Sequence, residues 1–381
     1  MKNKLEENTL HETVSPPEKE GSTEGAEMAK SKELDQLIDD LSSLNKAIEH
    51  DQGVLIEDLK KIDSSLHIEG LKVNIGGHEM TAEELEKLAE ENFELWNEIR
   101  GGEYWHTHEK LTFIVPEIAE RLLNYDSDLR FSNLTVLSPK VAEVLSRYKK
   151  TLSFGDKIVS ISDEVAKYLG NCKANMLLMD IKSLSDKSAE YLSEYMGTIM
   201  LFKVTEMSDK AVEFLSSRGK SRSLYIPGLT SISDISAEYL GQYKGNSLNL
   251  SGLTNLTDES IASLSKFKGG DDLILDGLTS LTEEAAEHLG NYTGYLDLRG
   301  LKTISDEVAK HLAHHKGRLG LHSLMHLSDK AAEYLSKHKG YLDLDDVKNI
   351  SDIAARYLAQ HKDGIDFQRS RQTEAQVKRF K

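Results

Sequence analysis

Histidine is the first residue type here whose spacing could do chemistry. His106-Thr107-His108 is an HxH pair, a spacing that brings two imidazoles to one side of a strand, as a metal site would need. A metal also needs further ligands, and none stands close by in sequence. The pair reads rather as a capping strand, placed where a first-repeat strand should be with both histidines in the inward phase. His315, His338 and His361 recur every 23 residues. On stacked structural units they would lie above one another, but the same slot elsewhere holds Tyr148, Tyr243, Phe267 and Tyr292. A ligand row therefore competes with a packing position near a helix end. Cys172 is the single cysteine. Lys173 beside it would lower the thiol pKa, but no general base is positioned for it by the surrounding sequence. Asp-Glu pairs recur along the chain, and so many copies of one active site make no chemical sense. These residues point to a non-enzymatic protein that needs neither metal nor cofactor.

The elements that would hold these residues come from one sentence repeated about ten times. A clear copy runs from Gly294 to Lys316 as GYLDLRGLKTISDEVAKHLAHHK, and two more follow without a gap. A fixed period of this length marks a solenoid, in which each unit buries its apolar face only by stacking on neighbours. The first half alternates, as in Leu296, Leu298 and Leu301, which predicts a short strand with one face inward. The second half opens on a Ser or Thr suited to cap a helix. These residues are Ser138, Ser162, Ser185, Ser208, Ser233, Thr257, Thr282, Ser305, Ser328 and Ser351, at steps of 23 to 25. Val115 takes the slot in a weaker first copy, followed by Pro116 at the first helical position. Acidic residues after the cap suit the helix dipole, as with Asp306 and Glu307. Lys316-Gly317 reads as the helix stop, with glycine free to adopt a left-handed cap. The aromatic series Tyr168, Tyr191, Phe214, Tyr239, Tyr334 and Tyr357 reads as packing between neighbouring helices. Helices are wider than strands, so the stack curves with a parallel sheet on the inside.

Four regions follow. Residues 1–30 are rich in Glu, Lys, Ser, Thr, Gly and Pro and read as disordered. Residues 31–110 read as an N-terminal cap. Leu34, Leu37, Leu41, Leu44 and Ile48 predict an amphipathic helix, and residues 54–62 a second short one. Leu71–Met80 reads as a hairpin around Gly76-Gly77, and Thr81 as the cap of a further helix near Trp96. Residues 111–365 form the solenoid, and 366–381 a strand end with a basic tail.

Composition narrows the partners. The 381 residues carry a formal net charge of -17, which argues against nucleic acid or an anionic membrane surface. A lone cysteine suits a reducing compartment and a cytoplasmic location. The N-terminal residues show no apolar stretch of the secretory kind, and no run of apolar residues is long enough to insert in a membrane.

The strand motifs LDLRGL, LNLSGL and LILDGL, each followed by a helix opening on Ser/Thr-Asp, resemble the leucine-rich repeat family. The second half looks most like the helix-bearing repeats of the cysteine-containing and bacterial GALA types. The resemblance covers about two-thirds of the chain and implies an α/β horseshoe with a concave parallel β-sheet and convex helices. The family's usual Asn or Cys after the strand is mostly replaced by Gly228, Gly252, Gly277 and Gly300, so an internal asparagine ladder should be missing. The chain shows no F-box-like segment and no separate ligase domain, so the resemblance does not imply an enzymatic effector.

The remaining candidate is the concave face. The side chains flanking the inward leucines of each strand should face solvent there, and among them Leu177, Met179, Met200, Phe202 and Tyr225 cluster over three neighbouring strands. Further along, Tyr295, Asp297, Arg299, Tyr341, Asp343 and Asp345 make an aromatic and charged patch. Exposed apolar groups rimmed by charge mark interaction sites. The expected function is a scaffold that binds a protein or peptide on this face. The alternative is a bacterial effector, secreted by a route independent of a signal peptide, that engages host proteins through the same repeats.

Overall fold

The computed structural model describes residues 67–381 except 70–71, 76–77, 103–105, 219–222 and 269–271. The expected disordered segment, the helix over residues 34–48 and the helix over 54–62 lie outside the described residues, as do Gly76 and Gly77.

An antiparallel sheet opens the described chain: β1 (His67–Glu69), β2 (Lys72–Ile75) and β3 (His78–Thr81). Ile75 pairs with His78, so β2 and β3 form the expected hairpin, while β1 was not foreseen. Helix α1 (Ala82–Arg100) follows, with Thr81 and Glu84 forming a reciprocal capping box. Its Phe93, Trp96 and Ile99 are buried. Trp96 Nε1 donates to Phe113 O at 3.2 Å, and Asn92 Oδ1 accepts from the N–H groups of Thr112 and Phe113. The helix therefore covers the open end of the first repeat and pairs its edge groups, as a solenoid cap must.

Short helices α2 (Thr107–Lys110) and α3 (Pro116–Leu122) lead into the array. From there strands and helices alternate: β4 (Leu129–Phe131), α4 (Pro139–Leu145), β5 (Thr151–Phe154), α5 (Asp163–Gly170), β6 (Met176–Met179) and α6 (Asp186–Ser193). Next come β7 (Thr198–Leu201), α7 (Asp209–Ser216), β8 (Leu224–Tyr225), α8 (Asp234–Gly241), β9 (Ser247–Asn249), α9 (Asp258–Leu264), β10 (Asp272–Ile274) and α10 (Glu283–Leu289). The last units are β11 (Tyr295–Asp297), α11 (Asp306–Leu312), β12 (Leu319–Gly320), α12 (Asp329–Leu335), β13 (Leu342–Asp343), α13 (Asp352–Leu358), β14 (Ile365–Asp366) and α14 (Arg371–Lys378). Among the described residues β4 to β14 form one parallel sheet of eleven strands in strict chain order. The fold is thus an α/β solenoid with a concave sheet and convex helices. One leucine of each strand joins the next in a continuous ladder, Leu224–Leu248–Leu273–Leu296–Leu319–Leu342, all of them buried.

All ten Ser/Thr residues read as caps do cap helices, each hydroxyl accepting the N–H three residues on. The helix stops differ from expectation. Helix α11 ends at Leu312 with a right-handed C-cap at Ala313, well before Lys316-Gly317. Gly317 is needed for proximity instead, since a Cβ there would meet Gly294 O at 2.1 Å. Gly252 is similar: a Cβ would come within 2.5 Å of the Pro227 and Leu229 carbonyl oxygens. Neither has a positive φ, so these glycines let successive turns approach rather than supply a left-handed bend.

The repeats are also stitched by a ladder that the single unit does not reveal. The first-turn aspartate of one helix accepts the cap hydroxyl of the next. The rungs are Asp163–Ser185, Asp186–Ser208, Asp209–Ser233, Asp234–Thr257, Asp258–Thr282, Asp306–Ser328 and Asp329–Ser351. Asp209 also accepts from Ser236 Oγ at 2.6 Å, and these two hydroxyls hold its carboxyl below the usual range. Asp209→Ala is expected to lower the melting temperature by roughly 2–4 °C, the scale of about one kcal/mol in a domain this large. A thermal melt matching wild type would show that the rungs are incidental.

The segment expected as a basic tail contains a helix. In α14, Thr373 and Val377 are buried, and Thr373 Oγ1 donates to Val347 O at 2.8 Å. The second open end of the stack is thereby covered.

Candidate partner-binding face

The side chains that could do chemistry are mostly absorbed into the core. His106-Thr107-His108 is not a strand: residues 107–110 form α2, and His106 precedes it in a left-handed conformation at φ 56°. Helical spacing sends the two rings apart. His106 is exposed, while His108 is buried, its ring 5.2 Å from Tyr125 and 6.2 Å from Phe131. The 23-residue histidines do stack. His315 and His338 lie 5.6 Å apart and nearly parallel, and His338 and His361 5.9 Å apart. They continue the column Tyr243–Phe267–Tyr292, whose rings are also stacked. Burial pushes His315 and His338 down to about 4 and lowers His361 as well. Among the described residues no group of three or more His, Cys, Asp or Glu is placed to hold a metal. Cys172 sits in the same slot of its own repeat. Burial pushes its thiol up to about 11, the reverse of what Lys173 beside it would do. Arg218 fills the slot in another repeat, almost wholly buried, and donates to the carbonyls of Tyr195 and Gly197.

On the convex side a groove of about 410 Å³ lies over α11 and α12, lined by Lys310, His314, Lys316, Tyr334, Lys337 and Lys339. Lys310 and Lys337 are paired with Glu307 and Glu333, and cations near helix C-termini are favoured by the dipole.

The outward positions of the sheet form three parallel rows. The central row runs Arg130, Ser153, Leu178, Met200, Tyr225, Asn249, Ile274, Asp297, Gly320 and Asp343. Leu177 and Met179 are therefore corrected: both are buried core residues, and Met176 and Leu178 take the half-buried outward places. In β7 to β11 the central residue stands eight positions before the helix cap, but in β6 only seven, Leu178 before Ser185. The distance from strand to cap is therefore not fixed, being seven here and nine in β5, Ser153 before Ser162. The run Met176-Leu177-Leu178-Met179 is apolar throughout, so it offered no alternation to correct the error. Met200, Phe202 and Tyr225 are outward as expected, with Phe202 39% exposed.

The charged patch is more closely built than the sequence implied. Asp297 and Asp343 are 2% and 1% exposed although both sit on the outward face. Asp297 Oδ2 accepts from Arg299 Nη2 at 2.7 Å and Tyr295 Oη at 3.1 Å, while Oδ1 accepts the Arg299 N–H. Arg318 Nε donates to Asp343 Oδ2 at 2.8 Å, with His322 Nε2 3.5 Å from the same oxygen. The Arg318 guanidinium lies over both Tyr295 and Tyr341, at 5.0 and 5.4 Å. Asp345 accepts from the Gln368 N–H, and Tyr341 is 38% exposed. Gly320 lies at the middle. A Cβ there would meet Tyr295 Oη, His322 Cε1 and Asp297 Oδ1 at 3.0–3.2 Å, so the side chains of neighbouring strands close over it. Burial pushes the Tyr295 hydroxyl up to about 12, and burial with the Asp297 charge raises the Asp276 carboxyl. Arg318 and His322 complete the patch. Their positions in the rows were legible in sequence, but the ion pairs cross between repeats.

No protein-family model matches the chain, and no curated protein matches it. Among solved structures, an internalin from Listeria monocytogenes is similar over 72% of this chain and 94% of its own, at 16% identity and a TM-score of 0.30. The architecture stands on the chain's own repeats and its eleven-stranded parallel sheet. Among the described residues no helix is long and apolar enough to cross a membrane.

Proposed function

We propose that this protein is a non-enzymatic scaffold of the leucine-rich repeat kind that binds a protein segment on its concave sheet. The observation that carries the reading is the half-buried to exposed cluster of Leu178, Met200, Phe202 and Tyr225 on three adjacent strands, on a face that the described residues leave open. Outward sheet positions that meet only water gain nothing from Met, Leu and Phe, whereas large apolar groups rimmed by charge supply the anchors of an interface. Chemistry on this face has no support of comparable strength: its most deeply buried carboxylates, Asp297 and Asp343, are each paired with an arginine of the same face, and the chain's one cysteine lies in the core.

A random 16-residue peptide library, displayed and selected on the full chain, tests this. Peptides are expected to be enriched whose affinity falls at least tenfold on Phe202→Ser with Tyr225→Ser, since aromatic anchors contribute about 2 kcal/mol or more each. The melting temperature of that variant should stay within a few degrees of wild type, because neither side chain is in the core. Absence of enrichment, or peptides indifferent to the two substitutions, would place the binding surface elsewhere.

A further inference from the structure

The concave face is chemically divided. Over β6 to β8 its outward groups are mostly apolar, namely Met176, Leu178, Met200, Phe202 and Tyr225, with Thr198 and Asp180 among them. Over β10 to β14 it carries Asp272, Asp276, Asp297, Asp343, Asp345 and Asp366 against two fixed cations, Arg299 and Arg318. Six carboxylates less two guanidiniums leave a local excess of four negative charges. Those carboxylates are also short of donors. Asp343, 1% exposed, has an Oδ1 with no hydrogen-bond partner, and so does Asp276 Oδ1. Arg318 uses only Nε on Asp343, and its guanidinium is half exposed between two tyrosines. An arginine held this way shows that the surface already seats one guanidinium over aromatic rings and a carboxylate. The remaining negative charge calls for more cations from outside.

Resting on the concave-face reading, we infer that the partner segment is a basic amphipathic peptide. Its apolar side chains sit over Leu178, Met200, Phe202 and Tyr225, and its lysines or arginines over the acidic strands β10 to β14. From β7 to β12 is five strand spacings, about 24 Å at roughly 4.8 Å each. An extended segment crosses that distance in about seven residues and a helical one in about sixteen. Anionic partners are disfavoured on the same surface, because the carboxylates that would repel them cannot be moved away from the sheet.

The test uses full-length protein and two synthetic, fluorescently labelled peptides. One carries Phe-Leu, a seven-residue Gly/Ser spacer and four alternating Lys and Arg. Its twin has Glu at the four charged places. Fluorescence polarisation is expected to show the basic peptide binding at least tenfold more tightly than the acidic twin. Its affinity should fall severalfold between 50 and 300 mM salt as screening increases. Asp272→Asn with Asp366→Asn, both at half-buried places, should weaken the basic peptide about fivefold and leave the acidic twin no weaker, since the substitutions relieve its repulsion. Equal binding of the two peptides, or no binding of the basic one, overturns the inference. If the library peptides still depend on Phe202 and Tyr225 in that case, the concave-face reading stands without it. If the basic peptide binds but ignores both the acidic and the aromatic substitutions, inference and reading fall together.

Discussion

Between pH 7 and pH 5 the wild-type protein is expected to lose about 4 kcal/mol more stability than a variant carrying His315→Phe and His338→Phe. Both imidazoles are buried and neutral in the fold, where desolvation pushes them down to about 4 from an ordinary value of 6.5. The unfolded chain therefore binds protons that the folded chain refuses. The resulting loss of stability begins as pH falls below about 6.5 and grows until about 4, and each ring contributes about 2 kcal/mol by pH 5. Phenylalanine suits the slot because Phe267 already stacks there between Tyr243 and Tyr292. Carboxylates are common to both proteins, so the difference between the two curves isolates the histidines. Urea unfolding at pH 7, 6 and 5 measures it, and parallel losses would mean that the rings are not held neutral by burial.

Leu298→Ala is expected to cost about 2–5 kcal/mol, the range for removing a wholly buried leucine whose cavity cannot collapse. Leu298 is fully buried, and its N–H donates to Gly320 O at 2.9 Å, so its backbone is tied to the following repeat. The same measurement settles the phase of β6. Leu177→Ala should resemble Leu298→Ala, whereas Leu178→Ala should cost under about 1 kcal/mol, as its side chain is only half-buried. Equal losses from Leu177→Ala and Leu178→Ala in urea unfolding would contradict the inward and outward assignment.

The architecture was legible because local signals agreed. A cap hydroxyl, acidic first-turn residues and strand alternation recur together, and each has a mechanism that works within one unit. What was not legible depends on pairs of units. The Asp–Ser/Thr ladder joins residues 22 to 24 apart, so one copy of the repeat shows only an acid suited to the helix dipole. The Gly317 contact with Gly294 is likewise invisible until two turns are stacked. Leu177 and Met179 were misplaced because loop length changes by one residue in a stretch with no polar punctuation. The HxH pair misled for a similar reason. Alternation was assumed where His106 takes a left-handed turn and starts a helix.

Between Asp163 and Ser351 the ladder is interrupted once. Glu283 stands where the units on either side have aspartate, and it makes no bond to the cap hydroxyl of Ser305. The stack is therefore stitched on both sides of that seam but not across it. In a one-dimensional array, cooperativity is set by the nearest-neighbour interfaces, and the weakest of them decides where the array divides. The block from Ser305 onward also holds the three stacked histidines His315, His338 and His361, so mild acid loosens it more than the earlier repeats. Amide hydrogen exchange at pH 5 should then show two protection levels that meet at this seam, with the later repeats opening together as one unit. Asp343, Asp345 and Asp366 of the concave face would be withdrawn with them while Asp272, Asp276 and Asp297 stay on the earlier side, making retention of a bound segment sensitive to pH at one end of the sheet and not the other.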